Sequence, residues 1–313
     1  MALCALAVIV AAFLGRLWGL EGPVTDVSGF LFTVKGSPLG HNLVSTIVNV
    51  LCLLVTGGIL LALNRVYVYV RSETHLMAAA FFLLALSYPS GLVTFNMGTV
   101  LCLLAALATM PLFAAYQDRH SQRSIFLITA LMAAGSLFDY GFLMLLPAFL
   151  LGFINMGIMN LKGVLAMLFG LVTPFWIVLG LGIASPADMA LPQWHGIWTL
   201  SRQELLRPIV AIALFIAALG GTLAVMNMLT IMNYRMQTRV CNAYFVYLLT
   251  MVIVAMAIDW SHLDTYLPLL NLMVAVQVAQ SHTLRAPHPH RYIFLLLLIA
   301  ACLAGCAANM MLP

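Results

Sequence analysis

Residues 98–138 read GTVLCLLAALATMPLFAAYQDRHSQRSIFLITALMAAGSLF. An apolar run over 98–116 gives way to a polar turn at 117–124, and a second apolar run follows over 125–138. Arg119 and Arg123 sit in that turn, with Asp118 beside them. A helix needs roughly 20 apolar residues to cross the hydrocarbon of a bilayer, fewer where its neighbours shorten the span. The polar–apolar alternation of membrane-barrel strands is absent. Two apolar runs hinged on a short basic turn therefore read as a helical hairpin in a membrane.

The same unit recurs in both directions. Apolar runs fall at about 1–15, 41–63, 76–95, 98–116, 125–138, 141–157, 163–183, 208–233, 241–258, 265–281 and 292–310. The expectation is an all-α polytopic bundle of about eleven transmembrane helices, with ten to twelve as the range, treated as one integral membrane domain over 1–313 with no soluble domain. With 64% hydrophobic residues, 7% charged residues and a mean hydropathy of +1.09, the apolar surface exceeds what a water-soluble fold could bury. No basic stretch precedes the first run, so it reads as a retained helix rather than a signal peptide. The six cysteines lie singly in or beside the runs and read as packing, with no metal pattern.

Charge gives the orientation. Arg65, Arg71, Arg119, Arg123, Lys162, Arg235, Arg239, Arg285 and Arg291, nine of the thirteen basic residues, fall at alternate inter-run segments. The positive-inside rule assigns these to the cytoplasm, leaving the N-terminus inside and the C-terminus outside. Glu21, Asp26, Asp139, Asp188, Glu204, Asp259 and Asp264 fall on the other side, as do Trp18, Trp194, Trp198 and Trp260. An acidic, aromatic outer face is where a functional site is expected.

On that face, Glu21 and Asp26 lie just past the first run, with Lys35 and His41 after them. Such carboxylates suit a general base, and equally a solvated loop with a Gly-Pro turn. Asp139, in Phe138-Asp139-Tyr140-Gly141, is expected at a turn, because one continuous helix over 125–157 would run about 50 Å against a hydrocarbon core of about 30 Å. The 184–207 loop carries Trp194, His195 and Trp198, a capping box at Ser201 and Glu204, and the basic residues Arg202 and Arg207. Arginines kept outside against the sidedness rule suit a lipid phosphate, or pairing with a neighbour such as Asp188. In Asp259-Trp260-Ser261-His262-Leu263-Asp264, Asp264 is expected to cap a helix, since the spacing matches no standard metal set. Asn49, Asn96, Asn227 and Asn271 are scattered through the runs. No nucleic-acid patch, phosphate loop or nucleophile elbow is present.

Residues 76–183 resemble the central stretch of the GT-C superfamily, polytopic glycosyltransferases that use polyprenyl-phosphate sugars. The resemblance is carried by Leu86-Ser87-Tyr88-Pro89, the Arg119–Arg123 turn, Ala133-Ala134-Gly135-Ser136-Leu137, Leu145-Leu146-Pro147, Lys162 and Pro174-Phe175-Trp176. The same layout resembles an uncharacterised family of multipass membrane proteins from Bacteroidota. The resemblance implies a GT-C-like bundle in a bacterial inner membrane, with Asp26 or Glu21 as catalytic carboxylate. Lys35, Arg202 and Arg207 would then hold the lipid-linked phosphate. The sequence departs from GT-C enzymes in lacking a close acidic pair in the first outer loop and a large outer domain. The expected partners are the bilayer and a polyprenyl-phosphate lipid or a membrane protein partner. No metal is called for, and the cofactor is left open. A non-catalytic membrane subunit in envelope assembly is the alternative reading, followed by a small-molecule or lipid transporter.

Overall fold

A computed structural model describes residues 1–20, 22, 27–34, 39–40, 42–67, 75–118, 120–185, 189, 192, 194–199, 207–232, 234–284 and 290–311. The helices in chain order are α1 (Ala2–Leu17), α2 (Leu43–Tyr67), α3 (Leu76–Ala85), α4 (Ser90–Val93), α5 (Met97–Ala114), α6 (Gln122–Ser136), α7 (Gly141–Met144), α8 (Leu146–Asn155), α9 (Leu161–Gly180), α10 (Pro208–Ile231), α11 (Met236–Ile258), α12 (Leu263–Leu284) and α13 (His290–Met311). Eleven of these have seven or more residues among the described part of the chain. Five of them, α2, α5, α9, α10 and α11, are long and apolar enough to cross a membrane.

The helices follow the apolar runs, with two breaks that have local causes. The run 76–95 divides into α3 and α4 across Leu86–Pro89, where Pro89 supplies no backbone N–H to continue the ladder. Side chains of α2 take over the carbonyls at the end of α4. Thr46 Oγ1 donates to the Val93 carbonyl at 2.5 Å, and Asn49 Nδ2 donates to the Gly91 and Leu92 carbonyls at 3.0 and 3.2 Å. The run 141–157 divides at Leu145, just ahead of Pro147 in the first turn of α8.

A short hairpin interrupts the first loop. Strands β1 (Val27–Ser28) and β2 (Thr33–Val34) pair antiparallel, a ladder that the helical reading of the sequence does not anticipate. Its tip closes the end of α6. The Phe30 N–H donates to the Ser136 carbonyl at 3.2 Å, and the Leu31 and Phe32 N–H groups donate to the Leu137 carbonyl at 3.3 and 3.1 Å. A helix leaves its last carbonyls without intrahelical donors, and here the hairpin supplies them. Gly29 is required at this contact, since a Cβ there would stand 2.3 Å from the Leu137 carbonyl oxygen.

Helix α12 runs through the centre, flanked by α3, α5, α10 and α11, and seventeen of its residues are buried. It is buried on every face, so its polar side chains need internal partners. Asn227 Nδ2 on α10 donates to the backbone carbonyl and side-chain Oε1 of Gln277, both at 2.9 Å, and Gln277 Nε2 reaches Asn242 Oδ1 on α11 at 3.5 Å. Asn227, which looks isolated in the sequence, is thus part of a buried amide cluster. Helix α9 lies at the periphery along α6, where Gly170 permits close approach to Thr129.

The bundle has two chemically distinct ends. Residues 20, 22, 27–34, 86–96, 136–144, 195, 207 and 259–266 meet at an acidic end. At the opposite, basic end, Tyr67 Oη donates to the Met110 carbonyl, the Gln117 N–H to the Met156 carbonyl, and Asn155 Nδ2 to the Val240 carbonyl.

Candidate functional site at the acidic end

Three aspartates from two distant segments of the chain meet at the acidic end: Asp139 from the α6–α7 turn, with Asp259 from the end of α11 and Asp264 from the first turn of α12. Each is placed by a distinct local cause.

Asp139 sits in the turn expected from the sequence. Its Oδ1 accepts the Gly141 N–H at 2.7 Å, an Asx-type turn. Glycine at 141 leaves room for the Tyr266 ring, which a Cβ would meet at 3.1 Å. Asp139 lies outside the membrane-crossing helices, yet burial pushes its carboxyl up to about 6. The Gly141 N–H and the nearby His262 pull the other way, and Asp259 adds to the rise.

Asp259 is the most heavily bonded of the three. It accepts from Ser261 Oγ at 3.0 Å and from Tyr266 Oη at 3.3 Å, and His262 Nδ1 stands 2.9 Å from both of its carboxylate oxygens. A carboxylate only accepts, so Nδ1 carries the hydrogen and Nε2 is the basic nitrogen of the neutral ring. Asp259 is 6% exposed, whereas the His262 side chain keeps 26% of its surface open. A buried carboxylate orienting a more accessible imidazole is the arrangement of a general base and its positioning partner. The segment is also tied to the 184–207 loop, because the Trp260 N–H donates to the His195 carbonyl at 2.8 Å.

Asp264 is held differently from the sequence expectation. Its carboxylate does not cap α12 but accepts from Tyr88 Oη at 2.8 Å. Its backbone carbonyl faces Pro268, four residues on, which has no N–H to give. Asn96 fills the gap: its Nδ2 donates to the Asp264 carbonyl at 2.9 Å, while its Oδ1 caps α5 by accepting the Gly98 N–H at 3.0 Å. Arg207, the exposed N-cap residue of α10, lies within electrostatic reach of Asp264 and Tyr88. Beneath Asp264 is a cavity of about 30 Å³, lined by Tyr88, Asn96, Thr99 and Asn271 among apolar residues. Asn271 is 3% exposed, and its Oδ1 has no hydrogen-bond partner among the described residues.

Of the residues singled out in the sequence, Arg207 reaches the aspartate cluster. Glu21, Asp26, Lys35 and Arg202 lie outside the described residues, as do Ser201 and Glu204 of the expected capping box. Asp26 and Lys35 are the chain neighbours of the hairpin, which docks over the Asp139 turn through Phe30 against Tyr140, with ring centroids 4.8 Å apart, and Phe32 against Phe138 at 4.9 Å. Sequence reasoning missed the convergence of Asp139, Asp259, His262 and Asp264. The available signal was that all four fall in segments assigned to one face. Among the described residues, no group of three or more His, Cys, Asp or Glu is arranged to hold a metal ion. Compared with known protein families, curated proteins and solved structures, the chain has no match.

Proposed function

We propose that this is a GT-C-like membrane glycosyltransferase whose site is the acidic end, facing outward from a bacterial inner membrane, with a polyprenyl-phosphate-linked sugar as donor. The observation that carries the reading is the Asp259–His262 pair set beside Asp139 and Asp264, with Arg207 in reach. In this reading His262 Nε2 takes the proton of the acceptor hydroxyl. The hydroxyl oxygen bonds to the anomeric carbon, and the bond from that carbon to the phosphate oxygen breaks with its electron pair going to the phosphate. Arg207, with Lys35 and Arg202, binds the phosphate, a task suited to the guanidinium fork. Asp26 or Glu21 is the base in the version that the GT-C resemblance implies.

Transfer of labelled sugar from a polyprenyl phosphate by the purified full chain tests this. His262→Ala is expected to lower turnover by about 10²–10⁴-fold, the usual contribution of a general base. Loss in the Glu21→Ala/Asp26→Ala double variant with full activity in His262→Ala would move the base to the first loop. Undiminished transfer in both would overturn the reading. A second reading, a non-catalytic membrane subunit, draws on α9, whose membrane-crossing window is only 11% buried and leaves an apolar face for a protein partner. Stable copurification of one partner, lost when Phe169 and Trp176 are made polar, would favour it.

A further inference from the structure

A further cavity lies at the basic end, away from the aspartates. It has a volume of about 190 Å³ and lies where α10 ends and α11 begins, with Asn155 at the end of α8 in its lining. Met228, Met232 and Met236 form much of its wall. Unbranched thioether side chains adapt to a flexible apolar guest better than branched ones do. Arg239 stands at the same cavity and supplies its charge. The guanidinium makes two contacts, Nη1 to the Met232 carbonyl at 3.4 Å and Nη2 to the Met236 sulfur at 2.7 Å. Neither acceptor is anionic, and Arg239 has no carboxylate partner among the described residues. A guanidinium has five N–H donors, so most of this group's hydrogen-bonding capacity is uncommitted. The exposed Arg235 lies one helical turn away on the chain.

We infer that this cavity binds an anionic phospholipid, with its phosphate on Arg239 and the upper part of one acyl chain against the methionine wall. The charge decides between occupants: a zwitterionic lipid brings its own ammonium to the phosphate and gains less from a lone guanidinium. The apolar wall excludes a free inorganic anion as the best fit, since phosphate alone leaves it uncovered. Because the pocket joins α8, α10 and α11, bound lipid would clasp the basic ends of these helices. The inference stands independently of any transferase activity.

Native mass spectrometry of the full chain with phosphatidylglycerol and phosphatidylcholine of matched acyl chains tests it. The wild-type protein is expected to retain phosphatidylglycerol preferentially. Arg239→Gln is expected to weaken that lipid by about tenfold, the scale of one charge-assisted contact, and to leave phosphatidylcholine nearly unchanged. Ala243→Leu, which fills the cavity without touching charge, is expected to weaken it as well. Lys162→Gln, a basic residue outside the pocket, is the control and should have no effect. Equal retention of the two lipids by the wild type would overturn the inference, as would an Arg239→Gln variant with wild-type preference or equal losses in Arg239→Gln and Lys162→Gln. Tight binding of inorganic phosphate in place of the lipid would also overturn it.

Discussion

At the scale of single residues, Asp139 gives the most direct handle on the acidic end. Its carboxyl is held at about 6 in the fold against 3.8 for an unperturbed group, so the folded state holds this proton more tightly than the unfolded chain does. Its contribution to stability is therefore full below about pH 4 and lost as the pH rises through about 6. At 1.36 kcal/mol per pKa unit the ceiling is about 3 kcal/mol. His262, Asp259 and Tyr266 face the same group, so the Asp139→Asn variant is the clean comparison. Thermal unfolding between pH 4.5 and 7.5 should show the wild type losing stability as pH rises, with a shallower loss in Asp139→Asn. Equal slopes would remove the buried-carboxyl account. The turn at Asp139 is legible in the sequence, because the length of 125–157 rules out one continuous crossing. Its neighbours are not, since Asp259 and His262 belong to a segment more than a hundred residues away.

Elements show how local chemistry places the site. Pro268 leaves the Asp264 carbonyl without a helical donor, and Asn96 both replaces that donor and caps α5. Asn96→Ala should therefore cost about 1–2 kcal/mol for the cap plus about 1 kcal/mol for the stranded carbonyl. In a Pro268→Ala background the restored N–H reaches the Asp264 carbonyl, and the second part of the cost should vanish. Unfolding free energies of the four proteins in this double-mutant cycle measure the coupling. Additive effects would show that Asn96 and Pro268 act separately. Helix positions are readable here because apolar runs mark them, and the breaks at Pro89 and Leu145 lie beside visible prolines. The hairpin at 27–34 is invisible by the same logic. Two residues per strand carry no periodic signal, and its stabilising partners, the Ser136 and Leu137 carbonyls, lie more than a hundred residues away.

For the whole molecule, the two ends differ in charge, and the sidedness rule turns this into an orientation. In a variant lacking the six native cysteines, Trp198→Cys and Ser261→Cys should react with a membrane-impermeant thiol reagent from outside intact cells. Gln122→Cys and Thr238→Cys should react only after the membrane is opened. The reverse pattern would turn the acidic end toward the cytoplasm and end the proposed transferase reading. The helical bundle was legible because apolar runs mark the helices, but of the eleven crossings expected, five described helices are long and apolar enough to span a membrane. The order of packing was not. That α12 is central follows from contacts on all its faces, and its sequence, with Asn271, Gln277 and Gln280, looks more polar than a core helix should. The cluster of Asn227, Gln277 and Asn242 explains how part of that polarity is accommodated.

The hairpin bears on how the chain matures. Residues 27–34 are synthesised about a hundred residues before Ser136 and Leu137, whose carbonyls they bond. At ordinary rates of elongation that gap lasts several seconds or more. The hairpin is thus made early and finished late: the nascent chain must complete α2 to α6 before its backbone partners exist.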